Sequence, residues 1–83
     1  MEYDMVYIPK YIINRVKWYM EKQNVDKADA LKYSIRDAIG KGKITEGDPL
    51  YNMWYHDDYR LIAPDIYIPE YLDFKKYPLY SLQ

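Results

Sequence analysis

The sequence predicts a mainly α-helical fold with one short strand near its front, on three observations. Apolar residues recur at helical spacing in two successive stretches, residues 12–20 and 28–39. No glycine or proline interrupts the chain between Pro9 and Gly40. Ahead of both stretches, Met5-Val6-Tyr7-Ile8 is aromatic and β-branched, alternates from residue to residue, and stops at a proline.

Taken in order, residues 1–4 are a lead-in, because Asp4 would point inward if the alternation continued. The strand covers residues 5–8. Pro9, with its fixed φ, suits the first position of a helix and marks a strand-to-helix junction. Ile12, Val16, Tyr19 and Met20 form the buried stripe of helix 1, which ends at Gln23-Asn24. A second stripe, Tyr11, Arg15, Trp18 and Lys22, is either an amphipathic rim or a docking strip, and Tyr33 raises the same question on helix 2. Asn24 or Asp26 caps helix 2, whose Ala28, Leu31, Ile35, Ala38 and Ile39 share a face, and Gly40 and Gly42 close it. Residues 40–47 form a glycine-punctuated loop. Asp48-Pro49 then opens a third helix, through Leu50, Met53 and Trp54, that ends near Tyr59. Pro64, Pro69 and Pro78 keep the remainder short and extended, and Val6-Tyr7-Ile8-Pro9 is echoed by Ile66-Tyr67-Ile68-Pro69.

Composition narrows the function. With 83 residues the chain holds one small domain and lacks room for a typical catalytic one. The absence of cysteine excludes a disulfide framework and a thiolate metal site. Tyrosine, tryptophan and phenylalanine make up 18% of the chain, which favours contact-forming surfaces. Residues 1–43 carry nine Lys/Arg against six acids, and residues 44–83 carry three against seven. That asymmetry fits a front that faces nucleic acid and a back that faces something else. His56-Asp57-Asp58 is the one grouping with acid-base or metal potential, yet neighbouring helical side chains diverge, so no catalytic residue, metal or cofactor is expected. The front lacks a signal-like or membrane-spanning apolar run, and a cytoplasmic protein is expected.

The order and register of residues 5–39 resemble the ribbon-helix-helix family, to which the Arc, MetJ and CopG repressors and many antitoxins belong. The residues that carry the resemblance are Ile8-Pro9, the ladder Ile12, Val16 and Tyr19, the turn Asn24-Val25-Asp26-Lys27, and the helix 2 positions Ala30, Leu31, Ser34, Ile35 and Ala38. The resemblance implies a homodimer whose strands pair across a two-fold axis. Burial independently asks for a dimer, since about forty residues make a marginal core alone. It further implies that Tyr3, Met5 and Tyr7 face DNA bases, and that Val25, Asp26 and Lys27 at the start of helix 2 hold a phosphate.

Two functions follow as expectations. In the first, residues 1–43 form a dimeric DNA-binding domain of an autorepressor-like transcriptional regulator, and residues 44–83 an acidic, aromatic extension. In the second, the chain is an antitoxin or a virus- or plasmid-encoded inhibitor. It binds a protein partner through Tyr51, Trp54, Tyr55, Tyr59, Tyr67 and Tyr71, with DNA binding weakened or lost.

Overall fold

The computed structural model describes residues 7–69. It contains α1 (Lys10–Lys22), α2 (Lys27–Gly40), α3 (Pro49–Tyr55), α4 (Tyr59–Ile62) and a 3-10 turn, Ala63–Asp65. Among the described residues there is no strand, which corrects the expected fold class of helices with one short strand paired as a ribbon: over residues 7–69 the chain is mainly helical. Tyr7–Pro9 is irregular chain leading into α1. The physical reason is that extended backbone becomes a strand only with a hydrogen-bonded neighbour, and a residue before proline is pushed to extended geometry with or without one. Residues 5 and 6 of the expected strand lie outside the described residues.

Each helix begins where local chemistry favours a start. Pro9 (φ −62°, ψ 154°) is the N-cap of α1, one position before the one expected, and its carbonyl accepts from the amides of Ile12 and Ile13. Asp26 caps α2, its carboxylate accepting from the Asp29 amide at 2.9 Å. Asp48 caps α3 by accepting from the Leu50 amide at 2.9 Å, with Pro49 next in the chain.

The ends are set by left-handed residues. Asn24 (φ 55°) follows α1, Gly42 (φ 73°) follows α2 and Asp57 (φ 62°) follows α3. Behind α2 the Gly42 amide donates to Ile39 and that of Lys43 to Ala38; behind α3 the Asp57 amide donates to Trp54 and that of Asp58 to Met53. Both pairs are Schellman closures, which reverse the chain and satisfy the last carbonyls. Because Asp57 takes this conformation, the third helix stops at Tyr55 instead of running on to Tyr59, and α4 starts afresh.

The core is continuous across the whole described chain. Ile12 and Val16 from α1, Ala30, Leu31, Ile35 and Ala38 from α2, then Ile44, Leu50, Met53, Tyr59 and Ala63 make one buried cluster. α2 lies at its centre, packed by α1 and by α3, α4 and the 3-10 turn. The expectation of a dimer rested on paired strands and on a front half too small to bury a core. Residues 44–63 of the same chain supply that burial, and Ile66 and Ile68 pack against its edge.

Two glycines separate backbone conformation from packing, because a methyl group added at Gly40 or Gly42 meets nothing within 4 Å. Gly40→Ala, inside α2, is expected to raise stability by about 0.5 kcal/mol. Gly42→Ala, in the left-handed position, is expected to lower it by about 1 kcal/mol. Urea unfolding followed by far-ultraviolet circular dichroism reads both, and shifts of the same sign would refute this account of the α2 end.

Candidate functional site

Two groups of side chains hold chemistry beyond simple packing. The first ties α1 to α2. Asp37 on α2 receives Arg15 from α1 (Nε to Oδ2, 3.2 Å) and the Tyr19 hydroxyl on the same carboxylate oxygen. Arg36 approaches the other oxygen at 3.7 Å. The Arg15 guanidinium also lies over the rings of Trp18 (4.5 Å) and Tyr19 (5.2 Å), and the Tyr19 ring leans on Tyr33 at 5.6 Å. Arg15 is buried, so its charge needs this set of partners. The Tyr19 hydroxyl pKa is raised above its usual 10, first by burial and then by the hydrogen bond to Asp37 and that carboxylate's charge. The Tyr11 hydroxyl is raised too, by burial and by Asp48. This group joins two helices and leaves its charges satisfied. It is a structural tie.

The second group is the outer face of α3. Leu50 and Met53 turn into the core and Tyr51 packs half-buried at its edge, which leaves Asn52, Tyr55 and His56 on the outer face, with Tyr55 a turn after Tyr51 and His56 a turn after Asn52. The Tyr51 and Tyr55 rings are near parallel, with centroids 6.3 Å apart and planes 15° from one another. Trp54 meets Tyr51 edge-on at 5.8 Å, and His56 meets Tyr55 edge-on at 5.1 Å. Glu46, brought back by the turn before Asp48, completes the wall of an open cleft of about 340 Å³ lined by Glu46, Tyr51, Asn52, Tyr55 and His56. Tyr55 is 65% exposed, an unusual state for so large a ring on a core-forming helix.

The residues singled out from sequence fall in different places. Tyr3, Met5 and Tyr71 lie outside the described residues. Tyr7 is exposed in irregular chain before α1. Val25 and Lys27 are half-buried, and Asp26 turns its carboxylate onto the amides at the start of α2, the position a phosphate would need. Among the aromatic residues, Tyr51, Trp54 and Tyr55 come together on α3, Tyr59 is a core residue, and Tyr67 is exposed but beyond the 3-10 turn. Sequence reasoning missed Glu46, Asn52 and His56 as members of one cleft. The spacing of Tyr51 with Tyr55 and Asn52 with His56 was a readable signal, whereas the return of Glu46 depends on the turn. Among the described residues no group of three His, Asp or Glu side chains is arranged to hold a metal ion, and no helix is long and apolar enough to cross a membrane.

Comparison with protein-family models, with curated proteins and with solved structures gave no match.

The tie between α1 and α2 is testable in two ways. Asp37→Asn leaves the Arg15 charge without its carboxylate and is expected to cost about 3 kcal/mol of unfolding free energy. The raised hydroxyl pKa values mean that the folded state holds its protons longer than the unfolded one. Their stabilisation is therefore complete below the unfolded value near 10 and is lost as the pH climbs through the folded value. Unfolding free energy measured in urea from about pH 9 to pH 11 should fall, and the Tyr11→Phe, Tyr19→Phe double variant should flatten that fall.

Proposed function

We propose that this chain is a non-catalytic, cytoplasmic binding protein that engages another protein through the outer face of α3, in the manner of a small inhibitor or antitoxin. The observation that carries the reading is the exposed Tyr55 ring stacked on the half-buried Tyr51, set beside Asn52, His56 and Glu46 on a helix whose other face is fixed in the core. Aromatic rings held rigid before binding lose little entropy on contact, and such residues dominate binding energy in protein interfaces. The hydrogen-bonding groups of Asn52, His56 and Glu46 around them suit the polar rim of an interface.

The competing reading, a DNA-binding regulator, has less support. At the start of α2 the Asp26 carboxylate already takes the Asp29 amide, and Asp29 adds a second carboxylate in the first turn. Two negative charges there oppose a phosphate. Of the Lys/Arg residues in the front half, Arg15 and Lys17 are buried and paired with Asp37 and Glu21, which removes them from any phosphate-facing surface.

The test compares the wild-type chain with the Tyr51→Ala, Tyr55→Ala double variant as bait in an extract of the cells that encode it. The wild type should retain a discrete protein partner. The double variant, checked to be folded by far-ultraviolet circular dichroism at the assay temperature because Tyr51 packs against the core, should bind that partner at least about thirtyfold more weakly. Equal retention by both baits, or retention of nuclease-sensitive nucleic acid in place of protein, would overturn the reading.

A further inference from the structure

We infer that the cleft on α3 receives a cationic side chain, arginine or lysine, from a basic segment of the partner protein; this inference rests on the reading of α3 as a binding face. The first support is charge. Residues 7–43 carry nine Lys/Arg and four acids, while residues 44–69 carry one Arg, Arg60, and five acids, Glu46, Asp48, Asp57, Asp58 and Asp65. The cleft is lined entirely by residues of that acidic segment, with Glu46 as the carboxylate on its wall. No Lys or Arg occurs in the sequence from Ile44 to Tyr59.

The second support is how five of this chain's other aromatic rings are treated; exposed Tyr7 and Tyr67, outside the helices, have no cation over them among the described residues. Arg15 covers Trp18 and Tyr19, Arg36 covers Tyr33, Lys43 covers Tyr11, and Lys32 and Arg60 cover Tyr59, all with the charged atom 4.5 to 5.8 Å from a ring centroid. Among the described residues, none of these cations reaches Tyr51, Trp54 or Tyr55. These rings offer the same electron-rich faces with no cation from the described residues over them. Glu46 stands at the cleft with no salt bridge among the described residues. A ring face and a carboxylate around one opening are the two attractions that a guanidinium or ammonium group combines, and the polar Asn52 and His56 can accept its remaining donors. A hydrophobic partner residue would use the rings and leave Glu46 desolvated, and an acidic one would be repelled.

The experiment titrates the isotope-labelled full chain with N-acetyl-glycyl-arginyl-glycinamide and, separately, with the isosteric neutral citrulline peptide, following amide and indole resonances by nuclear magnetic resonance. The arginine peptide should shift the amides of Glu46, Tyr51, Asn52, Tyr55 and His56 and the indole of Trp54, and the citrulline peptide should not. Glu46→Gln should weaken the arginine peptide about threefold, and Tyr55→Leu about fivefold. Equal shifts with both peptides, no shifts with either, or shifts confined to Asp26, Asp29 and Asp65 would overturn the inference. In any of those cases, continued loss of partner capture by the Tyr51→Ala, Tyr55→Ala variant would leave α3 as the binding face and remove only the cation. Loss of that distinction as well would remove the face itself.

Discussion

Everything in this fold depends on the burial of α2 from two sides. Ala30, Leu31, Ser34, Ile35 and Ala38 are all sealed from solvent. Ala30, Ser34 and Ala38 follow one another a turn apart, and such small side chains let neighbouring elements approach closely. Ser34 can be buried there because its hydroxyl donates to the Ala30 carbonyl at 2.7 Å, so no partner outside the helix is needed for that proton. With α1 along one side and α3, α4 and the 3-10 turn along the other, a helix of 14 residues becomes the shared wall of one core. The remaining elements need only one apolar face each.

That economy explains why α3 has a face to spare. A helix of 7 residues spends Leu50 and Met53 on the core, and Trp54 lies half-buried at its edge. Tyr51 packs half-buried against that edge, whereas Tyr55 is exposed where solubility alone would favour a charged residue. The Asp57 reversal fixes the end of the helix and sends the chain into α4, so that Tyr59 is drawn into the core just four residues after the exposed Tyr55. Two tyrosines so close in sequence have opposite roles because one left-handed residue separates them.

Charge follows the same division. On the α1 and α2 side, cations are absorbed by carboxylates and rings of the chain itself, as at Arg15, whose guanidinium meets Asp37, Trp18 and Tyr19 together. On the α3 side, carboxylates outnumber cations and aromatic faces remain open. The segments Tyr7-Ile8-Pro9 and Tyr67-Ile68-Pro69 follow a common pattern as well, with the tyrosine exposed and the isoleucine half-buried in both.

Residue identity alone set the starts of α1, α2 and α3 and the main helical faces, whereas the start of α4 and the 3-10 turn, in a stretch expected to be extended, were not legible in it. Pro9, Asp26 and Asp48-Pro49 act through contacts within a turn of themselves, and the stripes Ile12 with Val16 and Leu31, Ile35 with Ala38 are consequences of helical periodicity. The aromatic character of residues 51–55 was visible for the same reason. Contacts between distant residues decided that Tyr7–Pro9 meets no strand among the described residues, that Ile44 to Ala63 complete the core begun by α1 and α2, and that Tyr59 faces inward while Tyr55 faces out. Strand pairing and core closure join residues far apart in the chain. Alternation and β-branching record a preference for extended backbone, but they do not specify the partner that would turn it into a sheet. Left-handed Asp57 and the return of Glu46 to the α3 cleft belong to the same class, because each was fixed by what the folded chain places next to it.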